Sequence, residues 1–192
     1  MTGARVFLGV SGGIAAYKAA ALTSTLVQRG ASVDVVMTAE AERFVTALTF
    51  ASLTARPVYG SLWDAPERIP HIRLVREADV ALVVPATANL LAKLAAGIAD
   101  DLLTTALLAA RIPRILVPAM NAAMYEDPAT RANLSLLRAR EYEIVEPERG
   151  FLAERESGIG RLAGEERILD ALERALTRRK SLRGKRVAIT GG

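Results

Sequence analysis

One histidine, His71, and no cysteine in 192 residues leave few side chains able to carry proton transfer or nucleophilic attack. Without a thiol there is no disulfide, thiolate metal site or cysteine nucleophile, and a single imidazole rules out a multi-histidine metal site. Carboxylates alone could still hold a hard cation. His71 is thus the one side chain whose unperturbed pKa lies near neutrality, which makes it the candidate acid or base. A lone histidine is more usually structural, and here it follows Pro70, a residue suited to a first helical turn.

The remaining chemistry lies in short runs of small, hydroxyl and amide residues. Ser11-Gly12-Gly13-Ile14 lets backbone N–H groups approach an anion, but it fits neither the dinucleotide glycine fingerprint nor a phosphate-binding loop with its lysine. A ligand-free tight turn explains it equally well. Thr38 is a potential phosphate hydroxyl or simply a helix cap. Pro85-Ala86-Thr87-Ala88-Asn89 and Pro118-Ala119-Met120-Asn121 repeat one pattern, Pro-Ala followed by small or amide residues. Amides present donors and acceptors together, which suits the edge of a heterocycle or a carboxylate.

Each run follows a short β-branched segment: Arg5–Val10, Ser32–Met37, Val80–Val84 and Ile115–Val117, with Glu143–Val145 as a fifth. Between them lie helical lengths, Ile14–Arg29 ending at Gly30 and Asn89–Ala110 broken at Gly97. Ala39–Ala55 reads as one or two helices, Pro57–Tyr59 as a possible extra strand, and Gly60–Pro70 as loop. After a polar stretch, Glu146–Arg161, an amphipathic helix runs from Glu165 to about Lys180, with Ile168, Leu169, Leu172 and Leu176 on one face. This alternation predicts an α/β fold, a flavodoxin/Rossmann-like parallel sheet with helices on both faces. Ligands of such sheets bind beyond the carboxyl ends of the strands, where all four runs belong.

The formal charge of +4 is local: six of the 25 basic residues (Arg178, Arg179, Lys180, Arg183, Lys185, Arg186) lie in the last fifteen positions with no acid among them. The rest holds 19 basic against 21 acidic residues, which speaks against a nucleic-acid partner. The longest uncharged apolar stretch, Val80 to Ala92, is too short to span a bilayer, and the first residues lack the pattern of a secretory signal, so a cytoplasmic protein with no membrane partner is expected. Residues 1–180 read as one domain. The tail 181–192 reads as a linker and the first strand of a second domain, or as a last edge strand of the same sheet.

Gly9-Val-Ser-Gly-Gly-Ile-Ala-Ala-Tyr-Lys18, His71-Ile-x-Leu74, Pro85-Ala-Thr-Ala-Asn89 and Pro118-Ala-Met-Asn-Ala-Ala-Met124 closely resemble the homo-oligomeric flavin-containing cysteine decarboxylases. Over residues 3–180 the chain looks like the decarboxylase half of the bifunctional phosphopantothenoylcysteine decarboxylase/phosphopantothenate–cysteine ligases, and the tail from Leu182 resembles the opening of the ligase half. The resemblance implies FMN as cofactor, held by Ser11, Gly12, Gly13, Ile14, Thr38, Thr87, Ala88, Asn89, Leu90 and Ala119. It implies His71 as base or carboxylate orienter, and Asn121 with Met124 as the substrate contacts, Asn121 acting across a subunit boundary in a homo-oligomer built on trimers. The small-molecule substrate would be phosphopantothenoylcysteine, in coenzyme A biosynthesis. Leu90 and Tyr125 are mild departures from the family pattern. The larger one is Leu152-Ala-Glu-Arg-Glu-Ser-Gly-Ile-Gly-Arg161, where Glu154 stands at the position of the family's flap cysteine. Glu154 is either the replacement proton donor or a solvated charge.

Loss of carbon dioxide from a cysteinyl amide leaves an unstabilised carbanion unless an electron sink is made first. Flavin provides one by taking hydride from the sulfur-bearing carbon, and later returns it. The alternatives are an oxidative peptidyl-cysteine decarboxylase that stops at the enethiol and a flavodoxin-like electron carrier with no substrate pocket. His71 and the Met120–Met124 motif count against the carrier, and the ligase-like tail against the oxidative enzyme.

Overall fold

The computed structural model describes residues 1–63, 70–151 and 157–180. The tail 181–192, and with it the expected start of a second domain, lies outside the described residues. Six parallel strands form one sheet: β1 (Arg5–Val10), β2 (Ser32–Met37), β3 (Val58–Tyr59), β4 (Val80–Ala86), β5 (Arg114–Pro118) and β6 (Tyr142–Ile144). Their order is β3-β2-β1-β4-β5-β6, which reverses direction between β1 and β4. That is the doubly wound order, and without the two-residue β3 it reduces to the flavodoxin order.

Helices α1 (Ala16–Gln28), α2 (Ala47–Thr54), α3 (Pro70–Glu77), α4 (Ala88–Ala96), α5 (Leu102–Ala109), α6 (Ala122–Glu126), α7 (Pro128–Ala139) and α8 (Glu165–Lys180) cover both faces. The strands are apolar on both sides because both sides are covered. Val6, Leu8 and Val10 of β1, with Leu82 and Val84 of β4, pack under α1 and α8, where Ile168, Leu169, Leu172 and Leu176 supply the apolar face the spacing predicts. Phe7, Ala81, Val83 and Leu116 pack on the opposite face against Leu91, Leu103 and Leu107. Gly9 lets α5 close in, since a β-carbon there would run into Leu103.

The β4–β5 register shifts between Val83 and Ala86, so Val84 faces one core and Ala86 the other. Such a bulge re-aims the chain, here into the Thr87 loop at the carboxyl edge. β4 and β5 extend slightly beyond the apolar runs of the sequence, and α1 starts at Ala16 because Ser11–Ala15 forms the connecting loop. Pro70 opens α3, as its ring geometry suits.

The polar stretch after Val145 is not simply a loop. Glu148–Phe151 (β7) and Ser157–Arg161 (β8) form an antiparallel hairpin apart from the main sheet. Its strands carry Gly150, Gly158 and Gly160, poor strand formers, so local propensity gives no sign of it. A tertiary bond supplies the order: the Met120 N–H donates to the Gly160 carbonyl at 3.0 Å. Gly160 has φ +140°, and a β-carbon there would collide with the Met120 carbonyl oxygen.

Candidate functional site

The loops after β1, β4 and β5 surround a cavity of about 980 Å³ at the carboxyl edge of the sheet, with the hairpin along one side. Ser11, Gly12, Gly13, Ile14, Thr38, Thr87, Ala88, Asn89, Leu90, Ala119, Asn121 and Met124 all line it. The parallel register brings them together: Val10 pairs with Met37 and Gly9 with Val83, so loops distant in sequence leave the sheet at one level.

The residues are not equivalent. The Ser11 hydroxyl donates to the Pro85 carbonyl at 2.7 Å and accepts from the Thr87 N–H at 3.1 Å, so it clamps the first loop to the third. At Gly12 a β-carbon would overlap Glu40 and lie 2.7 Å from its carbonyl carbon, which makes glycine obligatory for this loop path. Thr38 accepts from the Ala41 N–H at 3.3 Å, and Thr87 caps α4 by accepting from Leu90 at 3.4 Å. By contrast α1 has Ala15 as its N-cap residue and no side-chain cap, which leaves the positive end of its dipole to a ligand. The Gly12 cradle and the uncapped helix fit an anionic cofactor group.

Asn121 caps α6, its Oδ1 accepting from the Ala123 N–H at 2.8 Å and the Met124 N–H at 3.4 Å. α6 is anchored from below by Tyr125, 1% exposed, whose hydroxyl donates to Glu146. Arg138 donates to the other Glu146 oxygen, and the Arg131 guanidinium lies 5.1 Å from the Tyr125 ring. Burial first, then the Glu146 hydrogen bond, push the Tyr125 phenol up to about 12.

His71 does not line this cavity. It sits on α3, with Nδ1 buried and without a hydrogen-bond partner among the described residues. Glu154 lies outside the described residues, and Phe151 and Ser157 flank the segment that contains it. The cavity also collects Lys18, Glu40, Lys93, Asp101, Phe151 and Arg161, which the motif reading passed over. Lys18 follows Ile14 by one helical turn, a spacing that could have revealed it. Arg161 closes the flap motif, but only the docked hairpin brings it to the cavity.

The cations differ in their surroundings. Lys93 is paired with Asp100 at 2.9 Å, and that hydrogen bond holds its pKa above the ordinary range. Lys18 is pushed down, first by burial and then by the Arg161 charge, with Glu148 partly opposing.

Residues 1–177 match the family model described as Flavoprotein. The chain belongs to that family. A relative from Bacillus subtilis (strain 168), "Coenzyme A biosynthesis bifunctional protein CoaBC", is 49% identical over 191 residues, 97% of this chain and 47% of that protein. The chain therefore spans about half the length of the curated relatives it matches. Among solved structures, the FMN-dependent cysteine decarboxylase SpaF superposes with a TM-score of 0.83 at 33% identity, covering 93% of this chain and 98% of that one. A PPC decarboxylase mutant complexed with pantothenoylaminoethenethiol gives 0.82 at 30% identity, covering 88% and 96%. In this Flavoprotein chain, as the sequence pattern leads one to expect, the sheet is parallel and wrapped on both faces.

Proposed function

We propose that the chain binds FMN and decarboxylates 4'-phosphopantothenoylcysteine to 4'-phosphopantetheine in coenzyme A biosynthesis. The observation that carries this reading is the convergence of the Gly12–Ile14, Thr87–Leu90 and Ala119–Met124 loops on one cavity in a Flavoprotein chain. The relatives supply the substrate class: one is a coenzyme A biosynthesis protein, another an FMN-dependent cysteine decarboxylase. Bound flavin supplies a reversible hydride acceptor, which makes the electron sink that decarboxylation requires.

The chain's own residues do the rest. Gly12, Gly13 and the start of α1 offer N–H groups to the cofactor phosphate near Thr38, and Ala88, Asn89, Leu90 and Ala119 give the flavin walls and amide contacts. Asn121 holds the substrate carboxylate, with Met124 beside it on the cavity wall. His71 enters the site of a neighbouring copy in a trimer-based oligomer; its orphaned Nδ1 and its position away from the cavity of its own chain support that placement. Residues 181–192 begin the second domain of the bifunctional relatives.

Purified protein should be yellow, or become so on adding FMN, and should release carbon dioxide from phosphopantothenoylcysteine. A colourless protein with no thermal shift in excess flavin would refute this reading. Mixed His71→Ala and Asn121→Ala chains should regain part of the activity after subunit exchange; no recovery despite proven exchange would refute shared sites.

The chain's lack of cysteine favours a second reading, oxidative decarboxylation that ends at the enethiol. In the first reading Glu154 delivers the last proton, so Glu154→Gln should release carbon dioxide yet accumulate enethiol. Enethiol as the sole product of the unmodified protein would establish the second.

A further inference from the structure

We propose that Lys18 and Arg161 form a subsite for a phosphate monoester, the remote end of the substrate rather than the phosphate of the flavin. This rests on the reading of the site as one for 4'-phosphopantothenoylcysteine, and it adds the residues that tell that compound from its unphosphorylated analogue.

Both side chains line the main cavity and also a small annex of about 150 Å³ bounded by α1, Val84 of β4, and the start of α8. Among the described residues neither side chain makes a hydrogen bond or ion pair; Lys18 is half-buried and Arg161 is exposed at the cavity rim. Several other cations of the fold are paired: Arg56 with Asp34, Arg29 with Glu173, Arg174 with Glu143, Lys93 with Asp100. The acid nearest the pair in effect, Glu148, uses Oε1 for the Gly164 N–H at 2.8 Å and for Arg167 at 3.4 Å, and from the annex wall it offsets the two positive charges only in part. Burial first, and then the like charge of Arg161, lower the Lys18 pKa, with Glu148 relieving the repulsion only in part. A phosphate dianion would relieve the repulsion and accept from both, the arginine through two N–H groups at once.

Position selects the substrate over the cofactor. Thr38 and Glu40 close the cavity at the β2 side of α1, where Gly12 packs on Glu40. Lys18 faces the other side, toward β4, β8 and α8, as its annex neighbours Val84, Leu162 and Ile168 show. Arg161 directly follows Gly160, whose carbonyl is bonded to Met120, the residue before Asn121. The pair thus lies on the β4 and hairpin side of the cavity, away from the β2 side where Thr38 stands. Lys18 also lies in the first turn of α1, where the helix dipole adds to its attraction for an anion.

The test compares phosphopantothenoylcysteine with pantothenoylcysteine as substrates of the flavin-loaded chain. Unmodified protein should favour the phosphorylated compound by about 100-fold in kcat/KM, and Lys18→Gln or Arg161→Gln should each cut that ratio about tenfold. Lys18→Arg, which keeps the charge, should retain most of it. The preference should fall as pH rises, earlier than a solvated lysine would allow, because Lys18 loses its proton sooner. An unaltered ratio in both glutamine variants overturns the assignment, as does a matching loss of FMN affinity, which would give the pair to the cofactor phosphate. If the unmodified protein decarboxylates neither compound, the functional reading fails separately. Calorimetry with phosphopantothenate against pantothenate then still decides the subsite: a phosphate-dependent gain lost in the glutamine variants supports it, and equal binding of the two overturns it.

Discussion

The two edges of the sheet treat charge differently. At the amino edge, Asp34, only 3% exposed, accepts from Arg56 Nε and Nη2 at 2.9 and 2.7 Å, with Arg5 at 3.6 Å. Arg5 also meets Glu77 at 2.8 Å, and Glu77 meets Arg73. Each of these five charges is answered by a neighbour. At the carboxyl edge α1 starts without a cap, and Lys18 and Arg161 face a cavity with no ion-pair partner among the described residues. The contrast teaches where the fold is closed and where it is left to be completed by a ligand: the first edge contributes stability, the second binding.

Substitutions should respect that division. The largest effect is expected from Gly12→Ala, whose methyl cannot fit beside Glu40, so the loop must shift. FMN affinity should fall about 100-fold, by fluorescence titration, with circular dichroism little changed. Preserved affinity would break the link between loop path and binding. Next, Asp34→Asn should cost about 3 kcal/mol in urea unfolding, because it leaves two arginines without their buried counterion, while FMN affinity holds at temperatures where the variant is folded. Loss of affinity there would erase the distinction between the edges.

Tyr125 sharpens the comparison, since it lies beneath the carboxyl edge yet is paired like a residue of the amino edge. Tyr125→Phe should lower stability by about 1 kcal/mol and raise KM more than it lowers kcat, through the loosened α6 that carries Asn121. The smallest effect is a titration. A phenol ionising near pH 12 should be absent in Tyr125→Phe. Because the folded value is raised, the stabilisation is complete below the ordinary 10 and is lost as pH climbs through about 12. A tyrosine difference spectrum centred near 10 would dissociate Tyr125 from Glu146.

Much of the candidate site was legible because each strand-to-helix loop has its own sequence signature. Ser11–Ile14, Thr87–Leu90 and Ala119–Asn121 each follow an apolar strand, and in a parallel sheet such loops must share an edge. What they do individually was less legible. Ser11 reads as a ligand contact, but its hydroxyl is consumed by Pro85 and Thr87, residues more than seventy positions away. Asn121 reads as a substrate contact, yet its Oδ1 also caps α6.

The sequence by itself determined the class of fold, the absence of thiol and multi-histidine chemistry, and the gathering of small and amide residues at strand ends, since these follow from periodicity and residue type. Tertiary structure alone decided the hairpin, the meeting of Lys18 with Arg161, and the separation of His71 from the cavity of its own chain. The physical reason is range. Strand alternation and helix caps act over a few residues, whereas the Gly160–Met120 bond and the charge pair across the cavity exist only after distant segments have packed.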